Sequence, residues 1–323
     1  MYVDRTSIEL EVDYCLPVSG QWRVFKGILY HIYLQPTERT PRSLFAPMIT
    51  SSTNSPYDCD YNFHKSNSTY FADLDVARAH YMGSIIRTGL TRLNAGDEDG
   101  LPADAHAAKG SYYMALGAVG CFFQREIKPM ERFEIYTRLL SWDRKWLYLV
   151  SHVVRAGKLK PESHVLQPWK NKGRSSAQGK QEEEDLKKHI FATSIARYVV
   201  KKGRLTVNPE IVLERSLLLP TRPPGVGLPP RSEGGPVAAT PATADTPAEI
   251  GNLTSPEQVA AGVAEKLGDV RSDEQASSDD WSWDEMEAER LRGLKMASHF
   301  DALNGLHDEL RAKEALGKYS DWF

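Results

Sequence analysis

Apolar positions recur with regular periods up to about residue 218, and the period changes along the way. Over residues 68–88 they fall at helical spacing. Tyr70, Leu74, Ala77, Tyr81 and Ile85 form one stripe, and Phe71, Met82 and Ile86 widen it. A stripe that broad belongs to a helix covered on several sides. Ser66 and Ser68 are candidate N-caps, Asp73 and Asp75 suit the positive end of the helix dipole, and Gly89 is a natural stop. After the helix the period shortens to two. Residues 111–127, 131–142, 145–156 and 189–201 read as strands, and a further strand is predicted over 43–52, before the helix. Phe133, Ile135, Thr137 and Leu139 share one face of the second of these, and Trp142 to Lys145 supply a tight hairpin to the third. Residues 157–185 are polar, basic and then acidic, as in an inserted surface loop. The predicted order is one strand, one long buried helix and a meander of four strands. That is an α+β architecture in which an antiparallel sheet curls round a helix.

The flanks differ. Residues 22–34, WRVFKGILYHIYL, read as a helix that packs on the body. The alternative is an interfacial helix making peripheral contact with a membrane. Residues 219–280 are rich in Pro, Gly, Ala, Ser and Thr and bury too little apolar surface to order themselves, so they read as a disordered linker. Helical character returns over 281–323, where Met296, Phe300, Leu303 and Leu310 recur at helix-like spacings. The chain thus divides into a helical extension (1–40), a body (41–218) with its insert (157–185), a linker (219–280) and a terminal helical segment (281–323).

Composition removes several classes of function. With 41% apolar residues in 323, one sizeable core is supported. The formal net charge of −3 gives no pull toward nucleic acid. Three cysteines, Cys15, Cys59 and Cys121, make neither a disulfide framework nor a zinc site, and a reducing, cytoplasmic setting is expected. No run of apolar residues is long enough to span a bilayer, and the N-terminus lacks the form of a signal peptide. Gly110, Gly117 and Gly120 do not form a phosphate loop, and no GxSxG elbow is present. No cofactor and no metal is implied. The basic loop with Lys158, Lys160, Lys170, Lys172 and Arg174 around Trp169 reads as a solvated loop; the alternative is contact with coenzyme A phosphates or an acidic carrier protein.

Residues 58–78 read DCDYNFHKSNSTYFADLDVAR. Asp58, Asp60, His64, Asn67, Tyr70, Ala77 and Arg78 resemble, in identity and spacing, the signature of hotdog-fold acyl thioesterases of the 4-hydroxybenzoyl-CoA type. Residues 123–154 are similar to paired strands of the eukaryotic thioesterase-superfamily-member-six-like branch. Phe63 stands where bacterial members often have Gly, and Ser66 replaces the first of two tandem Asn residues. The resemblance covers roughly residues 40–205 and implies a hotdog fold, pairing into a homodimer, and an acyl-CoA or carrier-protein-bound acyl thioester as substrate. Relatives of the branch beside fungal biosynthetic genes add a polyketide or lipopeptide product to the substrates it implies.

The resemblance also assigns parts to residues. Thioester hydrolysis needs a base or nucleophile near the acyl carbon and donors aimed at the oxygen that becomes negative. Asp60 matches the catalytic aspartate, as base or as nucleophile, and the backbone N–H of Asn67 would polarise the carbonyl from the helix N-terminus. His64 would orient Asp60 or line the pocket; its structural alternative is a histidine bonded to backbone. Asp60 has an alternative too, as the cap of a turn or helix. Asp58 reads as a turn or interface residue, Tyr70, Phe71 and Arg78 as core and helix surface, and Cys121 as core. Alternation turns Cys59 away from Asp60. A hotdog hydratase places His five residues after Asp, and Asp60 and His64 fall one short. A non-catalytic acyl-binding or scaffolding protein is the other alternative, favoured by the long tail.

Overall fold

The computed structural model describes residues 19–31, 41–99, 101, 103–159, 161, 163–167, 187–223 and 281–309. Most of the insert, all but five residues of the linker, and Leu310 lie outside these residues. Helix α1 spans Ser19–Leu29. Strand β1, Met48–Thr53, precedes the long helix α2, Asn67–Ile85, which is followed by α3, Arg87–Asn94, and the short α4, Ala103–Ala107. Then come β2, Tyr112–Phe123, β3, Arg132–Trp142, β4, Trp146–Arg155, β5, Ile190–Lys202, and the short β6, Leu205–Val207. Helix α5 spans Pro209–Arg215 and α6 spans Trp283–Ala302.

The strands form one antiparallel sheet in the order β1-β3-β4-β5-β2, with β6 paired to β5. The sheet curls round α2, which is the hotdog arrangement. The expected four-strand meander is corrected in one respect. Only β3, β4 and β5 run as a meander, while β2 pairs with β5 and lies at the edge far from β3. The place beside β3 belongs to β1, with Met48 opposite Thr137 and Thr53 opposite Arg132. Alternation sets which face of a strand is buried, but it does not name the strand's neighbour.

Two apolar clusters lie between α2 and the sheet. Tyr70, Leu74 and Ala77 pack against Ile127, Phe133, Ile135, Val153 and Phe191. Tyr81, Met82 and Ile85 pack against Leu139, Leu147, Leu149 and Val200, with Leu44 and Leu213 closing in from outside the sheet. Each such side chain contributes roughly 1.5–3 kcal/mol when fully buried. The Tyr81 hydroxyl fixes the depth of the helix: it donates to Leu44 O and accepts from Leu139 N–H, both at 2.8 Å.

The far side of α2 is covered by α1. A Cβ on Gly27 would come within 2.5 Å of the His80 ring, so any larger residue here would have to push that ring aside. His31 Nε2 lies 3.2 Å from His80 Nδ1. Cover on two sides explains the breadth of the apolar stripe.

Three local expectations are corrected. Gly89 does not stop α2. The break comes at Ile86, and Gly89 sits inside α3, where its N–H donates to Ser216 Oγ at 3.0 Å and a Cβ would meet Val212 O at 2.1 Å. Ser66 occupies the N-cap position of α2, but its side chain makes no capping bond. In the terminal segment, Met296 of α6 and Leu303 just after it do not face the body; they are 59% and 50% exposed. The buried positions are Met286, Gly293 and Ala297. Small residues win because α6 lies directly on the strand backbone of the convex face: Ser141 Oγ donates to Arg290 O at 2.6 Å, and Arg290 Nη1 donates to Trp142 O at 2.9 Å. Gly117 and Gly120 of β2 serve the same face, since a Cβ on either would press on Trp146 or Phe300.

Candidate active site

The segment between β1 and α2 folds back on itself in two steps. Pro56–Asp58 forms a single 3-10 turn, capped by the Ser55 hydroxyl, which accepts from Tyr57 N–H at 3.3 Å. Cys59 and Lys65 then face each other as an antiparallel bridge. The turn they enclose closes when Asp60 N–H donates to His64 O at 2.9 Å and Phe63 N–H donates to Asp60 O at 3.0 Å. Phe63 has φ +58°, a region open to glycine without steric cost. That is the physical reason glycine suits this position in the signature.

The turn is tied to the start of α2. Ser66 N–H donates to Asp58 O at 2.7 Å, and Thr69 Oγ1 donates to the same oxygen at 3.2 Å. Lys65 N–H donates to Ile127 O at 2.9 Å, which holds the turn against the loop after β2. Ser66 Oγ lies 3.0 Å from Ser68 Oγ rather than on the helix N-terminus. The N–H groups of Asn67 and Ser68 therefore have no acceptor among the described residues. An open N-terminus of this kind, with the helix dipole behind it, favours a negative oxygen.

Asp60 stands in the turn with one carboxylate oxygen engaged, Oδ1 accepting from Asn62 N–H at 2.9 Å. The other oxygen has no hydrogen bond among the described residues. Asp60 and His64 are joined through backbone alone. The His64 imidazole turns to Glu126 instead, with Nε2 at 3.0 Å from Oε2. Asp58 lies 3.5 Å from the Lys65 ammonium. Cys59 is engaged structurally: Sγ accepts from Asn54 Nδ2 at 3.4 Å and donates to Ser55 O at 3.5 Å. Cys121 packs against the core, where burial pushes its thiol pKa up.

Sequence reasoning missed two partners. Lys65 is wholly buried, pairs with Asp73 at 2.8 Å, and lies over the rings of Tyr70 and Phe133. Glu126 comes from the loop after β2. The available signal for Lys65 was slight, an ammonium inside the signature eight residues before a carboxylate on the apolar helix. Tyr57, Tyr61 and Phe63 stand exposed on the turn, so the rim of the site is aromatic. No cluster of three or more metal-ligating side chains exists among the described residues.

A hotdog sheet, a carboxylate in a turn and an open helix N-terminus beside it define a thioesterase-type protein. Residues 55–181 match the model of the Thioesterase-like superfamily. The chain is 32% identical over 327 residues to the "Probable thioesterase atnL" of Emericella nidulans, covering 95% of this chain and 88% of that protein. It is 31% identical to "Thioesterase poxG" of Penicillium oxalicum, covering 91% and 81%. "Protein THEM6" of Xenopus laevis is 35% identical over 102 residues, 31% of this chain and 40% of that protein. Among solved structures, the YbaW probable thioesterase of Escherichia coli aligns with 53% of this chain and 96% of its own at 12% identity and TM-score 0.32. The chain belongs to the thioesterase-like superfamily, and its chemistry is thioester hydrolysis.

Proposed function

We propose that Asp60 and the N-terminus of α2 carry out this hydrolysis on an acyl group borne by coenzyme A or a carrier protein. The supporting observation is the Asp60 carboxylate, with one oxygen capping its own turn and the other uncommitted, on a loop bonded to the first residues of α2. The thioester carbonyl oxygen accepts from the Asn67 N–H, and the helix dipole stabilises the negative charge that develops there. Asp60 takes a proton from water as the hydroxide adds to the carbonyl carbon. The tetrahedral intermediate then collapses, the C–S bond breaks, and the thiolate leaves with that proton. In the nucleophilic alternative Asp60 adds directly, expelling the thiolate, and water cleaves the resulting anhydride. Single turnover in oxygen-18 water separates the two, because only the anhydride route can place the label on Asp60. His64, held by Glu126, fixes the turn and lines its mouth.

A homodimer is part of the proposal. Strand β2 is twelve residues long, YYMALGAVGCFF, and carries no charge and no proline. No strand among the described residues pairs with its outer side. Edge strands that stay single are normally short or charged, so this edge suits a second β2. Peripheral membrane contact through residues 22–34 has slender support: Trp22 is exposed, but α1 packs along α2. Among the described residues no helix is long and apolar enough to cross a membrane.

The test is acyl-CoA hydrolysis, read by release of free thiol, in wild type and Asp60→Asn. Wild-type rates in Asp60→Asn would remove Asp60 from the mechanism. Acyl-CoA that binds without turnover in the wild type would support the scaffolding alternative.

A further inference from the structure

We infer that Asn54 is a positioning residue for this reaction: its side-chain amide sets Asp60 against the N-terminus of α2. This rests on the assignment of Asp60 above. Asn54 directly follows β1 and is fully buried. Its backbone is fastened to the loop between β2 and β3. The Asn54 N–H donates to Glu131 O at 3.0 Å, and the Asn54 carbonyl accepts from Met130 N–H at 2.8 Å. The side chain therefore starts from a fixed point on the sheet.

The two arms of the Asp60 turn are Cys59 and Lys65, which face each other as a bridge. Asp60 follows the first arm, and Ser66 and Asn67 follow the second. Asn54 holds both. Its Nδ2 donates to Cys59 Sγ at 3.4 Å, to Ile127 O at 3.2 Å and to Lys128 O at 3.0 Å, so two hydrogens are shared among three acceptors. Ile127 O has a second lone pair, and that one takes the N–H of Lys65 at 2.9 Å. The sulfur thus joins the amide to the arm that leads to the carboxylate. The Ile127 carbonyl joins it to the arm that leads to the open N–H groups. Glu126, which holds His64, immediately precedes Ile127, so the far side of the mouth is tied to the same amide.

The amide is not arranged for stability alone. Its Oδ1 is buried and has no hydrogen-bond partner among the described residues. A stranded buried acceptor costs free energy and calls for an explanation. Turning the amide over would set Oδ1 against the carbonyls of Ile127 and Lys128, oxygen against oxygen. The stranded acceptor is therefore the consequence of presenting both hydrogens to the turn and the loop. Misplacing reacting groups by about 1 Å can cost about a hundredfold in rate, so a shared anchor for Asp60 and the helix N-terminus bears directly on the chemistry.

The experiment uses the full chain. It measures thiol release from whichever saturated acyl-CoA the wild type hydrolyses fastest, and calorimetric binding of the matching S-alkyl-CoA thioether. Asn54→Ala should lower kcat about ten- to a hundredfold and leave thioether affinity within about twofold. Placed in Asp60→Asn, the same change should cost less than about threefold, because a residue that acts through Asp60 has little left to position. Asn54→Asp keeps the shape with at most one donor hydrogen, and it stands in throughout if the alanine variant does not fold. Asn208→Ala, which removes the side-chain cap of α5, is the destabilised control and should keep wild-type kcat. Wild-type kcat in a folded Asn54 variant, equal proportional losses with and without Asp60→Asn, or failure of both Asn54 variants to fold would each overturn the assignment of Asn54 while Asp60 keeps its role. Wild-type turnover in Asp60→Asn, or no acyl-CoA hydrolysis by the wild type, would remove Asp60 from the mechanism and Asn54 with it.

Discussion

The Lys65 ammonium lies 2.8 Å from one oxygen of Asp73, and the other oxygen of Asp73 accepts from Arg23 Nη1 at 3.0 Å. One nearly buried carboxylate on α2 therefore holds both the end of the Asp60 turn and the helix α1 that covers α2. Charges this deep cost more to strand than to pair. Lys65→Met should destabilise the fold by about 3 kcal/mol, because Asp73 then keeps only one of its two cations. Urea denaturation monitored by tryptophan fluorescence measures it. A loss below about 1 kcal/mol, the range of a surface pair, would mean that the pair contributes little.

Asp60→Asn should lower the rate of thiol release by about two orders of magnitude or more, the usual contribution of a positioned proton carrier. Asparagine keeps an oxygen for the Asn62 N–H, so the turn should persist and the melting temperature should stay close to wild type. Asp60→Ala should both lose activity and loosen the turn. The contrast between the two variants separates chemistry from capping.

His80 is half-buried between α1 and α2, and its pKa is lowered to about 4, first by burial and then by the neighbouring His31 and Arg23. The unfolded chain binds this proton more readily than the folded one. The stability tied to neutral His80 is present above pH 6.5 and is lost as pH falls toward about 4. The change amounts to about 3 kcal/mol at most. Denaturation midpoints between those two pH values should fall in the wild type and flatten in His80→Phe.

Gly293 is where α6 touches the strand backbone, and a Cβ there would sit 2.0 Å from Leu140 O. Gly293→Leu should release α6 from the convex face while the sheet and α2 remain folded. Hydrogen exchange should rise over Trp283–Ala302 and over Leu140 and Ser141, with little change in α2. Unchanged exchange in α6 would show that the helix shifts to accommodate the side chain.

Much of this protein was readable from local pattern. The extent of α2 and of the four long strands follows from apolar period, because a side chain's face depends only on its place in its own element. The turn with Asp60 and the entry into α2 near Ser68 are local as well. Other features exist only once elements meet. The period of β2 is the same whether it lies beside β3 or β5, and packing alone placed it at the edge. The large side chains of α6 suggested a buried stripe, yet contact with a strand backbone favours small residues, so Gly293 and Ala297 face inward. Lys65 and Arg78 look like ordinary solvated charges in the chain. Burial turned Lys65 into a strut between turn and helix and set Arg78 between Asp75 and the Tyr198 hydroxyl, because desolvation is set by the whole fold. For the opening stretch of the signature, sequence alone thus determined the helix and the position of the carboxylate, and tertiary structure decided which charges surround them.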